Sequence, residues 1–414
     1  MYLPRVADEQ LARSLKAMGA VLIEGPKACG KTVTALQRAQ TTFRLDQDSD
    51  AREAVTIAPG QLFDHPTPIL FDEWQAEPAI WNRVRRQVDN RQATGQFILT
   101  GSATPRDDIT RHSGAGRIGV VHMRPMSLFE SGHSNGDVSL AALFDGEAPT
   151  AKSSGLTVPD LLVRAVVGGW PGLIDADEAT ARDWLADYLV QLIEVDIPSI
   201  DTRRNPTSLR RLLSALARGV GQPVKLVELA RDVGGESGPI AQQALSAYLN
   251  ALDRLHLLDN SEAWNPHMRS RTRLRSAPVR YFVDPSLGTA ALEVGSEDLL
   301  GDLKAAGYHF EALVMRDLRI YAAPLRGVVD SWRDANGNEV DAIVSLRNGK
   351  WAAFEVKLNP SAVDDAASSL LRFASNVDTT FHGEPAVLGV ITSTGYAGRR
   401  KDGVHVIPIT TLGP

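Results

Sequence analysis

Two groups of residues in this chain have the types and spacing of reacting groups. The first opens with Gly25-Pro26-Lys27-Ala28-Cys29-Gly30-Lys31-Thr32, a complete G-x-x-x-x-G-K-T loop. Its glycines let the backbone curl until the N–H groups face a polyphosphate. Lys31 supplies a charge to the β- and γ-phosphates, and Thr32 offers a hydroxyl to Mg²⁺. Asp72 and Glu73 follow the apolar run Pro68-Ile-Leu-Phe71. A carboxylate at a strand tip is placed to support Mg²⁺, and the next one can orient and deprotonate the attacking water. For Glu73 the alternative is an acid complementing a helix N-terminus. The pair therefore predicts ATP and Mg²⁺ as ligands. The second group is Asp341, Glu355 and Lys357. Glu355 and Lys357 are two apart, so on a strand they share a face. Two carboxylates holding a divalent metal, beside a lysine that stabilises charge, make a phosphodiester-cutting site; the other reading is a Glu355–Lys357 salt bridge on a half-exposed strand, with Asp341 as a strand-end acid.

Strands and helices must hold these groups in place. Ala20–Glu24 reads as a buried strand entering the loop, and Lys31–Ala39 as the helix leaving it. That order is required because the helix N-terminus adds its positive end to the phosphate site. Thr42–Asp46 is a second strand, and residues 78–92 are helical, with Ile80, Val84 and Val88 on one face. Gln96–Thr100 is a further buried strand, ending in Thr100-Gly101-Ser102. Between the first and third strands, its tip would bring Thr100 or Ser102 to the γ-phosphate. A plain strand-ending turn is the other reading. Arg117 and Arg124 follow, either reaching a phosphate or forming ordinary ion pairs. Cys29, the single cysteine, excludes an internal disulfide and fits a reducing, cytoplasmic setting. Within the loop it reads as a small filler residue or as a thiol of lowered pKa.

In the second group, Asn348-Gly349 predicts a two-residue hairpin turn joining a strand that carries Asp341 to Trp351–Lys357. That turn would pair Asp341 with Val356, one position from Glu355 and Lys357 alike, so the three groups converge at one end of the hairpin.

The chain has 414 residues, 43% hydrophobic and 23% charged, with net charge −6. Length predicts two or three domains. The acidity excludes a basic coat over the whole surface but permits a local basic face. No apolar run approaches a membrane span, and the first ten residues lack a signal-peptide core. Residues 132–160 are rich in Gly, Ser, Pro and Asp and read as a linker. Helical stripes follow, one carrying Trp184, Leu185, Tyr188, Leu189, Leu192 and Ile193, another Leu209, Leu212, Leu213 and Leu216. Helix Val224–Val233, turn Gly234–Gly238, helix Pro239–Leu255 and the strand-like Arg280–Val283 read in that order as a winged helix. Arg269, Arg271, Arg273 and Arg275 alternate along its hairpin, which places four guanidinium groups on one face toward duplex phosphates or toward acids of a neighbouring domain.

The order Gly25–Thr32, Asp72-Glu73, Thr100-Gly-Ser102 resembles the AAA+-related ATPases with a catalytic glutamate and an extra strand between the two Walker strands. With Gly116-Arg-Ile, the run Arg124-Pro-Met-Ser-Leu-Phe-Glu130 and Gly168-Gly-Trp-Pro171, nearly the whole chain resembles ATPases that join an AAA-type domain to a DUF4143 domain. The last part is similar to the PD-(D/E)xK nuclease fold. That resemblance implies Asp341 as the first metal-binding aspartate, Glu355 as the second acid, Lys357 as the catalytic lysine and Glu311 as the helix glutamate. The proline of that motif is absent, since Glu339-Val340 precede Asp341. The expected fold is therefore α/β and multidomain: a P-loop AAA+-like domain over 1–145, a linker and helical winged-helix domain over 146–295, and a nuclease-like α/β domain over 296–414. The expected function is an ATPase acting on or with double-stranded DNA. The alternative is a nucleotide-dependent switch that binds protein through an inactive nuclease fold. RNA is not separated from DNA, and a homo-oligomer or protein partner fits either reading.

Overall fold

The computed structural model describes residues 2–102, 113–197, 205–265, 277–334 and 336–414. Its first sheet holds β1 (Ala20–Glu24), β2 (Thr41–Arg44), β3 (Ile69–Asp72), β4 (Phe97–Gly101) and β5 (Ile118–His122). All pairs are parallel, and the order is β2-β3-β4-β1-β5. The expected intervening strand is present: β4 lies between β1 and β3. A parallel sheet is covered on both faces, so its central strands are apolar at nearly every position. The two-residue period then sorts them. Val21, Ile23, Leu70 and Ile98 pack toward Leu11 and Leu15. Leu22, Phe71 and Leu99 pack on the opposite face with Trp81 and Val84. All five strands point the same way, so the segments after β1, β3 and β4 emerge at one edge of the sheet.

Helices Val158–Val167, Glu178–Gln191, Pro206–Arg218, Leu226–Gly234, Gln242–Arg254 and Pro285–Leu292 form the middle of the molecule. Sequence-encoded caps begin several of them. Thr157 and Asp160 make a reciprocal capping box, Asp177 accepts from the Thr180 N–H, and Asn205 precedes a proline at the first helical position. The leucines of these helices are continuous with the first sheet's core: Leu185, Leu189, Leu212, Leu216 and Leu249 belong to the cluster containing Val21 and Ile23. After the second of the two helices read as part of a winged helix, Leu258 bridges Phe282 and Ser261 bridges Val279, both antiparallel. Arg269, Arg271, Arg273 and Arg275 lie outside the described residues.

The second sheet is built largely by the last third of the chain. Its strands are β7 (Ala151–Lys152), β8 (Val328–Arg333), β9 (Glu339–Ser345), β10 (Trp351–Lys357), β11 (Val387–Thr392), β12 (Tyr396–Arg399) and β13 (His405–Pro408), in the order β7-β12-β13-β11-β10-β9-β8. Strands β8, β9 and β10 are antiparallel neighbours, whereas β11 runs parallel to β10 and β13. The long helix Leu303–Ala322 covers one face through Phe310, Leu313 and Val314 against Ala342, Val344, Ala352 and Phe354. Helix Val363–Ser375 covers the other through Ala366, Leu370 and Phe373 against Ile343, Trp351 and Ala353.

The stretch expected to be a linker is part of this unit. Strand β6 (Val138–Ser139) pairs with β14 (Leu412–Gly413), and β7 pairs with β12. Leu128, Val138, Leu140, Leu143 and Phe144 are buried in the same core as Phe310. The expected division at 145/146 thus cuts through elements that pack on the last sheet. Gly, Ser and Asp between these few apolar residues hid their periodicity. Among the described residues no helix is long and apolar enough to cross a membrane.

Candidate functional site

The phosphate-binding loop joins β1 to helix Lys31–Leu36, as the sequence predicts. A side chain at Gly25 would put its Cβ 2.0 Å from the Met123 carbonyl oxygen, so only glycine lets the loop pass beside the strand exit. Ala28 and Gly30 adopt positive φ, 63° and 100°, which curls the main chain ahead of the helix. The Lys31 ammonium is buried and donates to the carbonyls of Gly25 (3.0 Å) and Pro26 (2.7 Å). Lys27 instead pairs across a domain junction with Asp196 at 2.6 Å. Cys29 is buried with its thiol 3.7 Å from the Met123 carbonyl oxygen, a packing that suits a small filler residue.

The tips of β3 and β4 complete the cleft. Thr32 Oγ1 donates to Asp72 Oδ1 at 2.7 Å, so the two groups able to hold a hard cation already touch. Thr100, fully buried, donates to the same Asp72 oxygen and accepts from the Glu73 N–H at 3.2 Å. Its hydroxyl therefore ties the two acidic positions together and does not face the phosphate space. Ser102 Oγ donates to Glu73 Oε2 at 3.3 Å, and Gln75 Nε2 donates to that oxygen as well. Glu73 sits in left-handed backbone (φ 52°), which turns its side chain back over the strand tip. Lys27, Lys31, Thr32, Glu73 and Ser102 line one cleft of about 730 Å³. That volume lies within the range of small-molecule sites. Neither arginine considered for the phosphate reaches it. Arg117 bonds Asp89 at 2.8 Å, and Arg124 makes a two-pronged pair with Asp259 at 2.5 and 3.1 Å.

The second acidic group also converges, in a different register from the one expected. The observed pairs are Ser345–Trp351, Val344–Ala352 and Ile343–Ala353. The turn is a three-residue loop, Arg347-Asn348-Gly349, closed by the Leu346 N–H on the Lys350 carbonyl at 2.9 Å. Gly349 takes φ 87°, the left-handed position that such a loop requires. The longer loop shifts the register by one, so continuing the ladder sets Asp341 across from Glu355 rather than Val356. Lys357 Nζ contacts Glu355 Oε2 at 2.5 Å and Asp341 Oδ2 at 3.6 Å. Asp341 Oδ2 also accepts from the Val356 N–H at 2.7 Å.

Burial, reinforced by the Asp341 charge, pushes the Glu355 carboxyl up to about 8. Burial opposes the charged form of Lys357 too, but Asp341 and Glu355 outweigh it and hold the ammonium above the ordinary lysine range. Glu311, on the long helix, is buried and raised well above its usual value by desolvation and then by Asp341; it accepts from the Tyr281 hydroxyl. Among the described residues no three carboxylate, imidazole or thiolate side chains are grouped to hold a metal ion, so Asp341 and Glu355 act as a pair bridged by a lysine.

Sequence reasoning missed the buried charges that link these places. Arg5 donates to the Cys29 carbonyl in the phosphate loop at 2.9 Å, to the Arg124 carbonyl at 2.7 Å and to Glu130 at 3.1 Å. Glu130 also accepts from the Val6 and Ser127 N–H groups. The Gly168-Gly-Trp-Pro171 motif is fixed by Asp284 and Ser286: Asp284 accepts from the Gly169 N–H at 3.0 Å, and Trp170 Nε1 donates to Ser286 at 2.9 Å. Arg316, on the long helix, pairs with Asp284 at 2.9 Å and with Asp317 at 2.8 Å, all three fully buried. The available signal was an Arg-Asp dipeptide at 316–317 within an apolar helix.

Family models match three stretches. An AAA domain covers residues 18–131, a domain of unknown function (DUF8612) covers 159–298, and another (DUF4143) covers 306–412. The chain is an AAA domain fused to a DUF4143 domain. The AAA domain is the P-loop ATPase unit described above, and its ligand class is a nucleotide. Two relatives, the uncharacterised proteins Rv2008c of Mycobacterium tuberculosis and Mb2031c of Mycobacterium bovis, are each 25% identical over 358 residues, which is 85% of this chain and 73% of theirs. Among solved structures, the Walker-type ATPase PabY2304 of Pyrococcus abyssi is 17% identical, with 69% of this chain and 94% of that chain covered at a TM-score of 0.41. A DNA replication initiation factor is 16% identical, with 61% and 90% covered at a TM-score of 0.22. These structural likenesses are too distant to bear on activity.

Proposed function

We propose that this cytoplasmic protein hydrolyses ATP to ADP and phosphate with Mg²⁺, and that it couples the cycle to an action on double-stranded DNA. One observation carries the first half: the Thr32 and Thr100 hydroxyls meet on Asp72 while Glu73 stands at the same strand tip. In this reading the N–H groups of Gly25–Thr32 grip the phosphates, and Lys31 leaves its loop carbonyls for the β/γ-oxygens. Thr32 would hold Mg²⁺ with Asp72 behind it, and the ion when bound neutralises charge on the bridging phosphate oxygens. Glu73 orients the attacking water and takes its proton, with Gln75 and Ser102 fixing the carboxylate.

The DNA half rests on the remaining two units. Helices Leu226–Gly234 and Gln242–Arg254 with the bridged hairpin after them support the winged helix, and Arg269, Arg271, Arg273 and Arg275 are its proposed phosphate contacts. Helix, three antiparallel strands, helix and parallel strand, with Asp341 facing Glu355 and Lys357, support the nuclease-like reading of residues 296–414. There Asp341 and Glu355 would be the metal ligands, Lys357 the charge stabiliser and Glu311 the helix acid.

The second reading, a nucleotide-dependent switch with an inactive nuclease fold, is favoured by a specific feature. Lys357 already bridges both carboxylates, burial favours the protonated form of Glu355, and Tyr281 occupies Glu311. One experiment separates the two: ATP turnover with and without duplex DNA, the DNA then examined for nicks. Stimulated turnover with nicks that Asp341→Ala and Lys357→Ala abolish supports the first reading. Unstimulated turnover and intact DNA support the second.

A further inference from the structure

The cleft's third loop residue faces two ways. Lys27 lines the phosphate cleft, and its side chain is 48% exposed, yet its ammonium lies 2.6 Å from Asp196, which is 12% exposed. Asp196 belongs to the helical unit, at the end of a π-helical turn, Leu192–Asp196, that continues helix Glu178–Gln191. The same helix donates the Tyr188 hydroxyl to the Lys27 carbonyl at 3.2 Å. Tyr188 is stacked on Trp184, ring centroids 5.0 Å apart, and lies 5.1 Å from Trp170, so it is held firmly. Beyond Trp170, Pro171 lines the same cleft. Among the described residues, this helix holds Lys27 through the rigid Tyr188 hydrogen bond and the exchangeable Asp196 ion pair.

A triphosphate in the cleft brings several negative charges where Asp196 brings one. Charge-assisted bonds to phosphate oxygens would draw the half-exposed Lys27 ammonium inward. A π-turn is a local departure from α-helical pairing that often marks a working segment, and losing the Lys27 pair removes its charged tie to the phosphate loop.

We propose that Asp196 is a positioning residue of the nucleotide site. It holds Lys27 at the lip of the cleft until a triphosphate takes the ammonium, and that exchange releases the end of the helical unit from the phosphate loop. The proposal rests on ATP as the loop's ligand. It gives nucleotide binding a direct mechanical readout in the neighbouring unit, and it makes Asp196 a competitor of the phosphates.

The test uses the full chain and a fluorescent ATP analogue titrated with Mg²⁺ present. Asp196→Asn is expected to bind about fivefold more tightly, and Lys27→Met about fivefold more weakly, as one partly exposed ion pair implies. Adding Asp196→Asn to Lys27→Met should change nothing further. Asp196→Ser, in which no charge remains, should repeat the Asn result if folding of the first variant is impaired. Amide exchange of residues 188–197 should quicken when the analogue binds the wild type and be already fast in Asp196→Asn without it. Tight binding by the wild type with equal affinities across all variants overturns the latch and leaves the ATP reading intact. No binding by the wild type overturns the ATP reading, and the latch with it.

Discussion

The two acidic centres of this chain differ in what already holds their carboxylates. At the first sheet, Asp72 and Glu73 are tied by neutral donors: the hydroxyls of Thr32, Thr100 and Ser102 and the amide of Gln75. Their charge is oriented but not cancelled, and Glu73 lines an open cleft. At the second sheet, Asp341 and Glu355 share an ammonium, and Glu311 takes a phenol. Burial there favours the protonated form of both glutamates. Oriented charge beside a curled loop suits a cation and a polyphosphate. Charge neutralised from within has first to be released before it can hold a metal. On the proposed function, ATP chemistry belongs to the first centre, and metal binding at the second would require an event that moves Lys357 or Tyr281.

The buried Asp284–Arg316–Asp317 set joins the helical unit to the long helix carrying Glu311. Removing one partner of such a set strands the others without solvent. Arg316→Met is therefore expected to cost about 3–5 kcal/mol, read as a lower denaturant midpoint. A shift near zero would mean that these charges do not hold the helical unit to the long helix. Thr100→Val removes a donor from Asp72 and an acceptor from the Glu73 N–H. ATP turnover should fall about tenfold to a hundredfold, with nucleotide affinity nearly kept. An equal loss of affinity would place Thr100 at the phosphates after all.

The Arg124–Asp259–Arg319 cluster offers a pH test of the joint between the first unit and the rest. Burial alone would raise the Asp259 carboxyl, but Arg124 and Arg319 outweigh it and hold it at about 2. Its contribution to stability is thus present above the ordinary aspartate value near 3.8 and lost as pH falls toward 2. Thermal unfolding of Asp259→Asn should show a flatter dependence across that window than the wild type. A still smaller effect sharpens the register of the second centre. Gly349→Ala places a side chain at φ 87° and should destabilise by about 1 kcal/mol. No effect would argue against the three-residue turn.

Much of this was legible from the chain. The phosphate loop, the Asp72-Glu73 tip and the strand between them are local signals, in which an apolar run ends in residues of one chemistry. The hairpin with Asp341, Glu355 and Lys357 was legible as well, but its register was not. Asn348-Gly349 suits a two-residue turn, and nothing nearby in sequence reveals that Arg347 joins the loop. Residues 132–160 were read as a linker because two short strands and a five-residue helix carry too few apolar positions to show a period. Their partners, β12 and β14, lie more than two hundred residues away. The links of Arg5 to Glu130, of Asp284 to Gly169 and of Arg316 to Asp284 were invisible for the same reason, since each joins residues distant in sequence.

The most direct test of the central claim is phosphate release from ATP by wild type and Glu73→Gln, with nucleotide affinity measured on the same preparations. The account predicts affinity within about threefold and turnover lower by about a hundredfold to ten-thousandfold, the range of a lost general base. Equal turnover in the two proteins would contradict it.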